Sequence, residues 1–446
     1  MLVEASDGLS CAGWVALFWG TRLLYLFFLK PQHNFLNVDE LYIGTFGHQL
    51  LKGFSFPWID YRFSSYAGGY FVAGALASLF FRLCGPTLFA LRLVPLTFQT
   101  LTLILWHRTL SRFGPPRMAG YFALLFTLAP PGYIRESLLA QGNHVDTVFF
   151  SAVSVACLLA ILDRSPRSGI GAALWGIAAG VGLWYSYIYG ITLVACLAYW
   201  GVQDPTFHRR SPFWIFLGCF GIAFSPWLYF NLWGNVQGWI VQGNSLTHHG
   251  FYSVLGRQSF SVVRLLVSCL APEDLSRFQR RWINGIYLLS YGTLIFTGFL
   301  LRRRKKLPGV VALSLLVTVL FLSAVQLSDF RATRYVMPLL PFLFVLTAFA
   351  LTECEGDRRD SGKRRAISLG WFCLLFGASG WPMLALNQPG LIFSRKGYTY
   401  TYVPEALCDS RAACLRYDQT IAPELNEEDR SDLTRAVADR IASLHE

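Results

Sequence analysis

Four stretches of this chain, residues 9–29, 88–106, 310–326 and 336–352, each run close to twenty residues with almost no charge. An α-helix needs about 20 residues to cross roughly 30 Å of hydrocarbon, so several such runs in one chain point to a bundle of membrane-spanning helices. Composition agrees. Of 446 residues, 54% are hydrophobic and 14% charged, with 37 Phe, 20 Tyr and 14 Trp, more apolar surface than a water-soluble fold can bury. The formal charge of +12 does not point to nucleic acid. Lys and Arg fall in short clusters between apolar runs, as cytoplasmic loops and lipid headgroups require, and no nucleic-acid motif occurs.

The pattern predicts an all-α polytopic membrane protein of about 11 spans. They fall at 10–29, 87–107, 118–134, 144–162, 168–184, 186–202, 212–232, 283–301, 308–327, 335–353 and 366–387. The first apolar run has no basic leader and no clear cleavage site, so it reads as a retained span. Five basic clusters orient the bundle: Arg108/Arg112/Arg117, Arg164/Arg167, Arg209/Arg210, Arg302 to Lys306, and Arg358/Arg359/Lys363/Arg364/Arg365. All five belong in the cytoplasm. Residues 66–84 are apolar enough to be a further span, but counting them would put later clusters outside. Carrying Gly68, Gly69, Gly74 and Arg82, this segment is expected as a juxtamembrane helix or re-entrant piece on the outer surface. The apolar stretch 169–200 is too long for one crossing and should split into a helical hairpin around Trp184-Tyr185-Ser186-Tyr187.

With the N-terminus inside, three polar regions face outward: a first loop at 30–86, a lid loop at 234–282, and a tail at 388–446. The main membrane region ends near residue 355, and 356–387 supply the last cytoplasmic loop and final span. Eight of the ten Cys read as packing or scattered residues. Cys408 and Cys414, in the polar tail, could bridge in an oxidising compartment. The tail turns acidic from Glu424, with an amphipathic helix expected over 430–444. No inverted repeat of the kind that marks secondary transporters is visible.

Three polar clusters lie on the outer side. Asn37-Val38-Asp39-Glu40-Leu41-Tyr42 follows the first span and opens a helix. Its carboxylates either cap that helix or, partly desolvated, serve as a general base or metal ligand. Arg135-Glu136 and Gln141-Gly142-Asn143-His144-Val145-Asp146 crowd one short loop, where they form either a solvated connector or a site wall. Asp329-Phe330-Arg331-Ala332-Thr333-Arg334-Tyr335, followed by Met337, Pro338 and Pro341, sets positive charge outside, against the positive-inside bias. Its arginines either snorkel to headgroups or fork onto an anion such as phosphate. His248-His249 in the lid loop point apart on a helix or strand and read as plain loop residues. Gly169-x-Gly171 lies in an apolar run with no preceding strand, so it reads as helix packing and not as a nucleotide loop.

In order and sidedness these clusters resemble the GT-C class of membrane glycosyltransferases, within it glycosyltransferase family 39, the protein O-mannosyltransferase and aminoarabinose-transferase-like group. That group opens its first outer loop with an Asp-Glu pair, matched by Asp39-Glu40, and follows it with juxtamembrane helices, matched by 66–84. It also carries Arg-Tyr and then prolines in a late outer loop, matched by Arg334-Tyr335, Pro338 and Pro341. The likeness covers roughly residues 10–355. The His-Pro-Pro or Lys-Pro-Pro element of the group is replaced here by Phe56-Pro57-Trp58-Ile59-Asp60-Tyr61-Arg62.

The resemblance implies a GT-C-like bundle that moves a sugar from a polyprenyl-phosphate donor to a lipid, glycan or protein hydroxyl. The work would be done at the periplasmic face of a bacterial inner membrane, among membrane lipids and with no nucleic acid. Asp39 would be the base and Glu40 would position acceptor or donor. Arg331 and Arg334, with Tyr335 and Arg135, would hold the donor phosphate. His144, Asp146 and Glu136 would line the sugar pocket or hold a divalent ion (Mg²⁺, Mn²⁺ or Zn²⁺, which the spacing does not select), and Asp60 and Arg62 would face the acceptor. A transporter or flippase for a lipid-linked or polar solute, and an inactive membrane subunit, are the competing readings.

Overall fold

The computed structural model of the chain describes residues 10–28, 38–51, 53, 67–142, 144–163, 168–233, 270, 277–301, 307–327, 335–355 and 370. Among them no strand occurs. The helices are α1 (Cys11–Phe28), α2 (Val38–Leu51), α3 (Ala67–Cys84), α4 (Leu88–Phe113), α5 (Met118–Thr127), α6 (Pro131–Glu136), α7 (Thr147–Leu162), α8 (Ser168–Tyr185), α9 (Tyr189–Gln203), α10 (Ser211–Trp233), α11 (Arg277–Leu301), α12 (Gly309–Leu327) and α13 (Leu340–Glu355). Among the described residues, five helical segments are long and apolar enough to cross a membrane: Phe89–Phe113, Ser168–Tyr185, Ser211–Tyr229, Arg281–Leu300 and Met337–Cys354. Shorter apolar helices stand beside them, and the chain is a multi-pass integral membrane protein. The expected span 366–387, apart from residue 370, and the tail with Cys408 and Cys414 lie outside the described residues.

Each expected span that is described coincides with a helix, with one difference. The third, expected as a single crossing over 118–134, is broken after Thr127 and resumes at Pro131. Pro130 and Pro131 explain the break, since neither has an N–H to continue the α-helical ladder. With ten residues, α5 reaches only about 15 Å, half the thickness of the hydrocarbon. The predicted hairpin is present: α8 ends at Tyr185 and α9 begins at Tyr189. Helices α2 and α3, which lie between α1 and α4 in the chain, pack on each other, and α3 packs also on α4 and α8.

Sidedness can be followed along α4. Near its start, Arg92 meets Glu40 of α2 at 3.4 Å. At its end, Arg112 pairs with Asp163, just past the end of α7, at 2.6 Å. Twenty residues of helix, about 30 Å, separate the two arginines. Helices α9, α11 and α13 run towards basic clusters, and α5, α10 and α12 start beside them, while α11 also opens on Arg277, Arg280 and Arg281. The polar residues of the outer clusters therefore gather at the end of the bundle opposite the five basic clusters.

Tight contacts between small residues hold the helices together, as they must where lipid competes equally for apolar side chains. Helices α8 and α10 are the closest pair. A Cβ on Gly180 would fall 2.7 Å from the Cβ of Ala223 and 2.7 Å from the Phe220 carbonyl, while one on Gly218 would meet nothing. The opposite side of α10 is bare: Trp214 and Ile222 are 61% and 77% exposed, as expected of a face turned to lipid. Gly180→Val is predicted to cost about 1–3 kcal/mol through overpacking and to lower the melting temperature in detergent. Gly218→Val, on the open side, should leave that temperature nearly unchanged.

Candidate functional site

Glu40 lies on the first turn of α2 and is wholly buried. Its Oε1 accepts the Ala140 backbone N–H at 3.1 Å and faces Arg92 Nε at 3.4 Å. One carboxylate thus joins α2, α4 and the loop between α6 and α7. Arg92 is itself 3% exposed, and its Nη2 meets no acceptor among the described residues. A guanidinium kept from water with part of its fork unused is suited to an anion's oxygen. Asp39, the residue before, is placed by the same helical turn, and its side chain lies outside the described residues.

The loop from Ser137 to Asp146 is buried along nearly all its described length. Gly142, at φ +67, adopts a left-handed conformation that favours glycine, and the Ile43 side chain and the Gly69 backbone of α3 close on it. Gln99, two turns beyond Arg92 on α4, bridges this loop to α6. It accepts the Tyr133 hydroxyl at 3.0 Å and donates to the Val145 carbonyl at 3.4 Å. Gln141 donates to Glu136 at 2.9 Å, and Thr147 closes onto the His144 carbonyl. The His144 ring stands edge-on to the Tyr335 ring, centroids 4.9 Å apart.

Asp146, just before α7, receives the Tyr185 hydroxyl on Oδ2 at 3.0 Å, and its Oδ1 meets no donor among the described residues.

Three clusters far apart in sequence therefore meet. The Asp-Glu motif touches the 135–146 loop through Glu40 and Ala140, and that loop touches Tyr335 of the Arg-rich motif through His144. Arg135, on α6, is half-buried beside them. Asp60, Arg62, Arg331, Arg334, His248 and His249 lie outside the described residues. Among the described residues no three His, Cys, Asp or Glu side chains converge as metal ligands. Glu136 accepts from Gln141, and Asp146 from Tyr185.

Sequence reading passed over Arg22, Arg92, Gln99 and Tyr185. The available signal was charge inside an apolar run: Arg22 in 10–29 and Arg92 in 87–107 are buried ions in spans otherwise nearly free of them. Gln99 and Tyr185 carried no such mark.

No family profile and no curated protein matches the sequence. Among solved structures, the chain is similar to ArnT from Cupriavidus metallidurans in the apo state. The TM-score is 0.54 at 14% identity, over 84% of this chain and 75% of that one. It is also similar to the same protein bound to undecaprenyl phosphate, with TM-score 0.52, 14% identity, and 97% and 79% covered. A third likeness is to the Archaeoglobus fulgidus oligosaccharyltransferase in the apo form, with TM-score 0.51, 13% identity, and 94% of this chain but 59% of that one covered. At such identities the likeness establishes the fold, and the bundle is of the GT-C type that the sequence resembles.

Glu40→Ala would leave Arg92 buried without its carboxylate and Ala140 N–H without its acceptor. A loss of about 3–5 kcal/mol is expected, read as a lower melting temperature, with Glu40→Gln losing less because its amide oxygen still accepts.

Proposed function

We propose that the chain is an inverting glycosyltransferase that takes a sugar from a polyprenyl-phosphate donor. The acceptor is a hydroxyl of a lipid, glycan or protein at the outer face, which in a bacterial inner membrane is the periplasmic one. The observation that carries this reading is the meeting of the Asp-Glu motif, the 135–146 loop and Tyr335 at the end of the bundle away from the basic clusters. The positive-inside bias makes that end the outer one. The fold shared with ArnT bound to undecaprenyl phosphate supports a lipid-phosphate donor.

Transfer needs an acceptor hydroxyl deprotonated, a leaving phosphate neutralised, and water kept out. In this reading Asp39 takes the acceptor's proton. The freed oxygen attacks the anomeric carbon as its bond to the phosphate oxygen breaks, and polyprenyl phosphate departs with the bonding electrons. Arg331 and Arg334, beside Tyr335, and Arg135 hold that phosphate, and the open Nη2 of Arg92 offers a further buried N–H donor. Glu40 orients the loop that carries His144 and Asp146, which line the sugar pocket. Asp60 and Arg62 face the acceptor.

The broken helix at Pro130 and Pro131 is the one observation favouring a transporter or flippase, since such proteins build solute sites at interrupted helices. Reconstituted vesicles supplied with a polyprenyl-phosphate sugar and an acceptor separate the readings. Sugar transfer is expected, Asp39→Asn should lose it by about a hundredfold or more, and Arg334→Ala should chiefly raise KM for the donor. Movement of the lipid-linked sugar across the bilayer without transfer would decide for the transporter. Unaltered turnover in Asp39→Asn would remove Asp39 from the mechanism.

A further inference from the structure

In a continuous helix the carbonyls of Phe126 and Thr127 would accept the N–H groups of residues 130 and 131. Both positions are proline, so the break after α5 orphans those two carbonyls in particular. Inside an apolar bundle, orphaned backbone groups are costly and must find partners. Both find the same one. Arg22 of α1, wholly buried, donates from Nη1 to the Thr127 carbonyl at 2.7 Å and from Nη2 to the Phe126 carbonyl at 3.2 Å. Its guanidinium lies 4.6 Å from the centre of the Phe18 ring.

The charge suits the place. A helix C-terminus carries partial negative charge, and a planar fork fits two adjacent carbonyls better than a point charge does. Arg22 comes eleven residues into α1, about 17 Å, and α5 ends about 15 Å from its own start, so both ends of the contact lie deep in the bundle. On the far side of the break, the Gly132 N–H, likewise freed at the start of α6, donates to the Leu270 carbonyl at 3.2 Å. The segment that then runs to Asp146 carries Arg135, Glu136, the Ala140 N–H that holds Glu40, His144 and Asp146.

We propose that Arg22 is a positioning residue for the candidate site: by taking the two carbonyls that Pro130 and Pro131 orphan, it fixes the break and thereby the placement of the 131–146 segment. As a statement about catalysis this rests on the glycosyltransferase reading; as a statement about the segment's placement it does not.

The test compares wild type, Arg22→Met, and the triple variant Arg22→Met/Pro130→Ala/Pro131→Ala, in which the new alanines restore backbone donors to both carbonyls. Three quantities are read: melting temperature, hydrogen exchange in peptides covering 118–127 and 132–146, and sugar transfer. Arg22→Met should melt lower, exchange about tenfold or more faster across 132–146, and lose transfer by a similar factor. The triple variant should recover the melting temperature and the protection of 118–127, because α5 can now continue. It should nonetheless stay inactive, because an uninterrupted helix no longer presents the loop. Recovery of transfer together with stability would show that Arg22 only stabilises, and would overturn the proposal, as would unchanged exchange across 132–146 in Arg22→Met. If Arg22→Met does not accumulate in the membrane, Arg22→Lys replaces it in both variants and is judged by the same outcomes, with a smaller opening expected. If wild type transfers no sugar, the functional reading fails separately, and the exchange result alone then decides, by the same criterion, whether Arg22 holds the segment.

Discussion

A buried carboxylate must be met by donors or it destabilises the fold around it, and Glu40 is met by two segments besides its own. It brings the start of α2, the Arg92 side chain of α4 and the Ala140 amide together at one end of the bundle. Residues 40 and 140 are a hundred positions apart, and their bond ties the loop that carries His144 and Asp146 to the start of the first outer segment. The tight approach of Gly69 to Gly142, and of Tyr185 to Asp146, lock the same loop from α3 and α8. Among the described residues the 137–146 loop is thus held from three sides, which the proposed transfer would need of groups that must not reorganise during reaction.

Much of this was legible in the residues. Apolar runs located the described helices at the expected spans, 118–134 excepted, and the polar interruption at Trp184 to Tyr187 divided α8 from α9 where the structure divides them. Basic clusters gave a consistent polarity, which required residues 66–84 to be something other than a further crossing, and α3 packs there on α2. The three polar clusters were visible as polar residues at span ends. Their contact with each other was not, because nothing local in the sequence records that Ala140 faces Glu40 or that His144 faces Tyr335.

The misreading of 118–134 as one span has a definite cause. Hydropathy averages over a window and is blind to two consecutive prolines whose missing N–H groups end the ladder. The same averaging hid Arg22 and Arg92, each a lone ion in an apolar run. These errors are linked, for Arg22 occupies the carbonyls that the prolines orphan. An unexplained charge in one span and a proline pair in another were two halves of one contact, and only the three-dimensional arrangement joins them.

The fold is that of GT-C enzymes, but fold alone does not fix a substrate. The proposed function requires that the end of the bundle where Arg92 faces Glu40 and His144 faces Tyr335 accept the phosphate of a polyprenyl carrier. Native mass spectrometry of the protein released gently from its membrane tests that claim directly. The account predicts a retained lipid whose mass and fragments identify a polyprenyl phosphate or its sugar ester, displaced by added undecaprenyl phosphate. Retention of bulk phospholipids alone, with no binding of added undecaprenyl phosphate, would contradict it.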